Sequence, residues 1–381
     1  MTRRLAPWLG AVLLLSGLSA AAHQQSDSYL TLTVPPQGTV IDGQWDIALR
    51  DLDFAIGLDA NHDGAITWGE LRRAQARIAA YAFARLAVEA IGRGDRAACP
   101  AALSQLLVDR HVDGEYAVLV FRADCGLQPV ELNVRYSLLF DVDPTHRGLL
   151  AVRGGGHVQA EVLSRETPAV ALNASAPDRW QQFRAFVSEG IWHILKGYDH
   201  ILFLLTLLFP AVVCYGKRGW EARASLRDSA LDVLKVVTAF TLAHSLTLSL
   251  AVLGLVHLPS RLVECGIAVT VLLGALNNLR PVIVHRRWAV AFAFGLVHGF
   301  GFASVLADLG LRGAALALSL VGFNVGVEAS QLAIVAAVLP VAFVLRSTPA
   351  YRRAFMPACA VAISAVASYW LLARLASGNL G

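Results

Sequence analysis

The sequence predicts a two-part protein. An exported α+β, β-rich N-terminal domain with one EF-hand-like loop precedes an all-α polytopic membrane domain of six transmembrane helices. Three observations carry this expectation. First, the 381 residues are 56% hydrophobic and only 16% charged, against about 25% charged in a typical globular chain. Second, the apolar residues are unevenly spread: 24–180 is mixed, whereas 190–375 is dominated by long apolar runs. Third, the chain opens with MTRRLAPWLGAVLLLSGLSAAA, in which two arginines precede an apolar core and a small-residue stretch, the pattern of a secretory signal peptide. The net charge of +4 is small and, with so many arginines in short loops, reflects topology and not nucleic-acid binding.

The expected order is a signal peptide at 1–22, an exported domain at 23–176, an amphipathic lead-in at 177–189 and a membrane domain at 190–381. In the exported part, alternation predicts strands at Tyr29–Val34 and Thr39–Leu49, then at EYAVLVF after a turn at Asp113-Gly114, then at VELNVRYSLLF. One helix is expected from about Trp68 to Ala90, as an insert in a small β-sandwich. Cys99 and Cys125 are the only cysteines of this region and are expected to form a disulfide in an oxidising compartment. Cys214, Cys265 and Cys359 fall in or beside apolar runs without metal-site spacing.

The helical insert begins with DANHDGAITWGE, residues 59–70, which fits a calcium loop position by position. Asp59, Asn61 and Asp63 supply side-chain oxygens, and Gly64 permits the sharp turn. Ala65 offers its carbonyl, Thr67 a ligand or a water, and Glu70 closes the loop with two oxygens. With no second such loop to pair with it, the expected role is a structural Ca²⁺ staple and not a switch.

Six spans are expected at 190–213, 232–256, 262–280, 287–309, 314–345 and 354–375, the fifth too long for a simple perpendicular crossing and so tilted or broken. Lysines and arginines crowd the loops after spans one, three and five (Lys217, Arg218, Arg223, Arg280, Arg286, Arg346 and Arg352 among them). The other side carries only Arg261, Arg312 and Arg374. The positive-inside rule puts the latter side, and both chain ends, outside.

HILKGYDHILFLLTLLFP, from His193 to Pro210, begins with four ionisable groups and then turns wholly apolar. A central Asp or Lys costs roughly 2.5–3.5 kcal/mol on insertion scales, so such groups need a reason. Counting depth at about 1.5 Å per residue, Asp199-His200, His244-Ser245, His298, and Asn324 with Glu328 reach one level on four spans. A lone intramembrane histidine is more often a helix-to-helix hydrogen bond than a ligand; three at one depth with carboxylates point to one buried site. His193 lies seven residues before His200, about 10 Å along a straight helix, and reads as an entry residue unless Gly197 breaks that helix. Lys196 can neutralise Asp199; Thr241, His244 and Ser245 share a face, as do Asn324, Glu328 and Gln331. Gly295 and Gly299 let a neighbouring helix approach His298. Asn277-Asn278 and Glu264 read as boundary or packing residues, and His257 and His285 as loop residues.

Imidazole with carboxylate suits Ni²⁺, Co²⁺ or Zn²⁺. A dehydrated ion could be held and then released as protons return, which is a transporter. The same groups could hold a catalytic zinc, with Ser245 or water as nucleophile and Glu328 or Asp199 as base, which is an intramembrane hydrolase. A third class is a sensor or accessory membrane protein whose exported domain meets an unknown partner.

HILKGYDH has the form H-x₅-D-H. Together with TAFTLAHSLTL, FGLVHGFGFA and FNVGVE it resembles the HupE/UreJ family of bacterial membrane proteins, in the branch with a long exported N-terminal region. The stretch SDSYLTLTV…WDIALRDLDFAIGLDANHDGAITWGEL resembles that branch too. The resemblance implies an inner-membrane nickel or cobalt permease, in some relatives linked to hydrogenase or urease maturation, with His193, Asp199 and His200 matching the first motif. The second motif of these permeases resembles F-H-G-x-A-H-G; here Phe294 is followed by Gly295 and only His298-Gly299 matches, so His244 or Glu328 stands in for the missing ligand.

Overall fold

The computed structural model describes residues 26–111, 114–155, 157–173, 178–216, 219–283, 286–309, 311 and 313–376. The signal peptide expected at 1–22 lies outside these residues, as do Asp113, Lys217, Arg218, His285 and Arg312. The chain divides into two compact units: one runs to Phe186 and includes Ser304–Gly322, and the other comprises Val187–Ala303 and the chain from Phe323 onward.

The first unit is β-rich. Strand β1 (Asp27–Thr33) pairs antiparallel with β2 (Val40–Ala48) and parallel with β8 (Arg147–Gly154). With β5 (Ala101–His111), β6 (Gly114–Asp124) and β9 (His157–Leu163) they form a six-stranded sheet ordered β5-β6-β2-β1-β8-β9. A second sheet runs β10 (Ala169–Asn173), β7 (Glu131–Tyr136), β3 (Leu86–Ile91), β4 (Arg96–Ala98). Alternation turns one face of each sheet inward. Leu30, Leu32, Ile41, Trp45 and Phe121 from the first share one buried core with Val88, Leu132 and Val134 from the second. Each such side chain contributes about 1.5–3 kcal/mol on burial.

Helix α1 (Leu49–Ile56) follows β2 directly and stops at Gly57, whose φ of 65° is left-handed. Helix α2 (Trp68–Phe83) starts at Thr67 in a capping box with Glu70 and buries Leu71, Ala74, Ile78 and Ala82. Its expected extension to Ala90 is corrected: Leu86–Ile91 is strand β3, paired with β7. Leu86, Val88 and Ala90 point inward in strict alternation, and this packing outweighs the helix propensity of an Ala-rich stretch. The strand expected through Phe140 ends at Tyr136, and Leu139 takes a φ of 59° in the turn beyond. Cys99 and Cys125 are joined as a disulfide at 2.08 Å.

Under the sheets a buried histidine is fully hydrogen-bonded. Trp45 Nε1 donates to Ser28 Oγ at 3.2 Å, and Ser28 Oγ lies 2.7 Å from Tyr136 Oη. Tyr136 Oη meets His146 Nε2, and His146 Nδ1 meets Ser26 Oγ, which donates to Asp51 at 2.8 Å. One proton per bond satisfies the whole chain if His146 is neutral and protonated on Nδ1. Beside it, Arg147 and Asp27 form a buried two-bond ion pair at 2.8 and 2.9 Å.

The second unit is all helical apart from a hairpin. Helix α3 (Arg179–Lys196) enters it, and α4 (Tyr198–Leu208) follows after a bend of 71° between 179–196 and 198–212. A short turn at Phe209–Val212 leads to the hairpin β11 (Val213–Gly216) and β12 (Gly219–Ala222). Then come α5 (Leu226–Val252), α6 (Ser260–Leu279), α7 (Arg287–His298), α8 (Ala303–Asp308), α9 (Gly313–Leu345) and α10 (Met356–Ala376), of which α8 beyond Ala303 and α9 up to Gly322 are grouped with the first unit. Among the described residues four helices are long and apolar enough to cross a membrane: 226–252, 260–279, 313–345 and 351–376. The bent pair α3–α4 makes a fifth if it counts as one span. The span expected at 287–309 is interrupted: a tight turn at Gly299–Phe302 leaves α7 with 12 residues and α8 with 6. Two glycines in GFGF weaken the helix there. Helix α9, expected to be tilted or broken, is continuous over 33 residues with Pro340 inside it.

Basic residues gather at one end of this unit. Arg223 and Arg287 both reach Asp232, at 3.2 and 3.1 Å, and Arg346 donates to the Arg223 carbonyl at 2.7 Å. Elsewhere Arg374 pairs with Glu264 at 3.1 Å, and Asn278 donates to the Thr206 carbonyl at 2.9 Å, both packing links between helices.

The buried His146 gives a pH prediction. Burial pushes its imidazole down from 6.5 to about 4. The stability it contributes is therefore full above 6.5 and is lost as the pH falls toward 4, about 3 kcal/mol in all. Hydrogen exchange on the full chain, corrected for intrinsic rate, should rise in β1 and β8 between pH 7 and 4.5. His146→Gln should flatten that rise, and an unchanged pH dependence in the variant would contradict the assignment.

Candidate metal centre

The centre begins with a broken helix. Gly197 follows α3 with φ −77° and ψ 90°, an extended conformation. Its N–H still bonds the His193 carbonyl at 3.0 Å, while its own carbonyl accepts from Ile201 at 3.1 Å and starts α4. The residues on either side thus fold toward each other. The His193 and His200 rings lie 4.7 Å apart, where a straight helix would separate them by about 10 Å. The close turn demands glycine: a Cβ there would meet the His193 carbonyl at 2.7 Å, His200 Nδ1 at 2.9 Å and Asp199 Oδ1 at 3.1 Å.

Helix α5 brings His244, whose ring lies 6.1 Å from His193 and 6.3 Å from His200. Helix α7 brings His298, 5.0 Å from His200. The α7–α5 approach runs through the two glycines marked in the sequence: a Cβ on Gly295 would strike the Phe240 carbonyl, and one on Gly299 the His244 carbonyl and Thr247 Oγ1. Asp199, His200 and His298 each offer one ligand atom, all within 4.8 Å of one another.

Hydrogen bonding sets which ring nitrogens keep a lone pair. Asp199 Oδ1 lies 3.0 Å from His200 Nδ1 and also accepts the His200 backbone N–H at 2.9 Å. An ionised carboxylate only accepts, so His200 donates through Nδ1, and a neutral ring then keeps its lone pair on Nε2. His200 Nε2, His298 Nδ1 and both ring nitrogens of His244 are buried without a hydrogen-bond partner among the described residues. His244 and His298 are 0% exposed. Buried polar atoms are nearly always bonded, and a cluster of exceptions calls for a specific explanation. Lone-pair nitrogens beside a carboxylate fit a divalent ion of the nickel, cobalt or zinc kind.

Aromatic rings close the cluster on two sides. Phe302 and Phe323 stack at 4.5 Å, and His193 lies 4.9 and 5.2 Å from them. Opposite, Phe203 and Phe240 lie 5.2 Å apart, each 5.3 Å from His298.

The other residues marked in the sequence take different places. Lys196 does not neutralise Asp199: its ammonium lies 5.1 Å from the Trp192 ring, beyond the bend. Ser245 donates to the Thr241 carbonyl at 2.7 Å, one turn back in its own helix. Thr241 donates to Gln331 at 3.1 Å, tying α5 to α9 beside the cluster. Asn324 and Glu328 are half-buried on α9, and Glu328 is outside the group of close ligand atoms. A neighbour without a sequence signal is Thr270 of α6, 2.9 Å from His298 Nε2. A threonine inside an apolar run carries no signal of its own.

In the β-rich unit the loop 59–70 is held by its own groups. Gly64 donates to Asp59 Oδ2 at 2.9 Å, Asp63 to Asn61 at 3.2 Å and Ala65 to Asp63 at 2.9 Å. His62 and Gly64 take φ of 58° and 82°. Glu70 accepts from Ala60 at 3.0 Å, from Thr67 N–H at 2.9 Å and from Thr67 Oγ1 at 2.7 Å. The Thr67 hydrogen bonds hold its carboxyl down at about 2. Asp59 Oδ1 is buried without a hydrogen-bond partner among the described residues.

A β-rich unit followed by helices long and apolar enough to cross a membrane, with a His/Asp cluster buried among the helices, marks the class as a helical membrane protein. The family model described as HupE / UreJ protein matches residues 169–374, more than half of the chain, and the chain belongs to this family, which is generally linked to nickel and cobalt uptake. No curated protein matches the chain.

The bend supplies a direct test. Alanine favours helix over glycine by about 1 kcal/mol and so favours a straight helix, while its Cβ collides with both ligand-bearing residues. Gly197→Ala should weaken Co²⁺ binding by about tenfold or more, with helix content by circular dichroism unchanged or raised. Wild-type affinity in the variant would show that the bend does not build the centre.

Proposed function

We propose that the chain is a permease for a divalent transition-metal ion, nickel or cobalt above all, in the inner membrane of a bacterium. The observation that carries this reading is the set of buried, unpartnered imidazole nitrogens from three helices, next to one carboxylate. His200 Nε2 and His298 Nδ1 would ligate the ion with Asp199 close by, and His193 and His244 would complete or hand on the site. The two phenylalanine pairs would keep water from crossing while the ion is held. Release would follow from protons returning to the imidazoles. Asn324 and Glu328 would line the path, and Gln331 and Ser245 would support it.

In this reading the bent pair α3–α4 is the first of six spans and the interrupted segment 287–308 the fourth. Broken helices at membrane depth are tolerated where they line a protein-enclosed site. Arg223, Arg287 and Arg346 at one end support a cytoplasmic side there, with the β-rich unit exported behind a signal peptide at 1–22. The hydrolase alternative keeps the same ligands, but the Ser245 hydroxyl is bonded to the Thr241 carbonyl, which leaves water as its nucleophile.

Cellular nickel, cobalt and zinc, measured with and without the protein, test the permease reading. Expression should raise nickel or cobalt content, and His200→Ala or His298→Ala should abolish the rise. Unchanged metal content in every strain would end this reading.

For the exported unit we propose that residues 59–70 bind Ca²⁺ through Asp59, Asn61, Asp63, the Ala65 carbonyl, Thr67 and Glu70, as a staple between α1 and α2. The partnerless Asp59 oxygen supports this. Millimolar calcium should raise the melting temperature of the full chain in detergent, and Glu70→Ala should remove the effect. Identical melting with calcium and with chelator would exclude a staple.

A further inference from the structure

Thr270 lies in the middle of α6, a helix that contributes no ligand to the candidate centre. Its hydroxyl donates to the Ile267 carbonyl at 2.7 Å, and the same oxygen lies 2.9 Å from His298 Nε2. Buried threonines in helices often make only the backbone bond. Thr206 and Thr247 do so, to Phe203 at 2.6 Å and to Ala243 at 3.1 Å, without reaching a ring nitrogen. Thr270 adds the second contact, and the proton count then matters. A hydroxyl carries one proton. With that proton on the Ile267 carbonyl, Thr270 Oγ1 can only accept from His298, so Nε2 bears the hydrogen and Nδ1 the lone pair. Nδ1 is the nitrogen that is buried without a hydrogen-bond partner among the described residues.

We propose that Thr270 is a positioning residue for the ion site: it fixes the ring orientation and tautomer of His298 so that Nδ1 faces the cluster. The inference rests on reading that cluster as an ion site, and it names a residue outside its ligands. It also pairs with the arrangement at His200, where Asp199 holds Nδ1 and frees Nε2. Two adjacent imidazoles would thus be set with opposite nitrogens toward one centre, each by a different partner. Outer-shell partners of this kind typically change metal affinity by about 10–100-fold when removed.

The test uses full-length protein in detergent, with Ni²⁺ and Co²⁺ as probes in equilibrium dialysis. Thr270→Val keeps the shape and removes the hydroxyl; Thr270→Ser keeps the hydroxyl. The valine variant should bind both ions about 10–100-fold more weakly and change the Co²⁺ visible bands, and serine should restore both. In the metal-free wild type, ¹⁵N shifts of the His298 ring should show hydrogen on Nε2. A merely structural threonine would lower the melting temperature of the valine variant without moving affinity or bands. Wild-type affinity in Thr270→Val, or hydrogen on Nδ1 in the wild type, would overturn the inference while leaving the ion site intact. A wild type that binds neither ion would overturn the ion-site reading itself, and the inference with it.

Discussion

A ring nitrogen taken out of water must find a partner, and this constraint shapes both units of the protein. Leaving one buried and unbonded costs about 1–3 kcal/mol, more where hydrocarbon surrounds it. The β-rich unit obeys the constraint fully. His146 accepts at one nitrogen and donates at the other, within a chain of hydroxyls from Trp45 to Asp51. The helical unit departs from it at His200, His244 and His298 together. His146 is thus an internal reference for what a structural histidine looks like in this chain, and the three in the bundle do not look like it.

The departure is built by backbone. Gly197 turns the chain through 71° and brings His193 against His200. Gly295 and Gly299 let α7 close on α5, so that His298 and His244 approach from the other side. In a bilayer such contacts would gain little from the hydrophobic effect, because lipid is as apolar as the helix surfaces it covers. Close backbone approach and the polar links Thr241–Gln331 and Thr270–His298 hold the helices in register instead.

Much of this was legible in the residues, for reasons that can be named. Depth along a helix follows from counting, which sets His200, His244 and His298 at one level. Counting gives no rotation about the helix axis, and so Glu328 shared that level yet lies outside the close ligand group. Nor does it give bends: Lys196 was set beside Asp199 by helical spacing that Gly197 interrupts. Thr270 was illegible because its role depends on where one proton goes. In the β-rich unit, strict alternation marked β1, β2, β6 and β7. LAVEAI hid strand β3, since Leu, Ala and Glu favour helix and only the facing strand β7 overrides them. Hydropathy does not register the tight turn at Gly299–Phe302 that interrupts the fourth expected span.

The charge of the cluster bears on what a permease could do with it. Neutral imidazoles contribute no charge, so Asp199 would be the one anion among the close ligand atoms. A divalent ion there would keep a net positive charge in a low-dielectric setting, which is costly, and its residence would be correspondingly short. A second carboxylate in the same shell would neutralise the ion and hold it, as suits a structural site. Conduction needs binding strong enough to strip water and weak enough to let go. Three lone-pair nitrogens with a single carboxylate, itself occupied in orienting His200, lie nearer the second demand. On the permease reading, a close ligand group without Glu328, less acidic than the sequence leads one to expect, would suit passage of an ion better than its permanent capture.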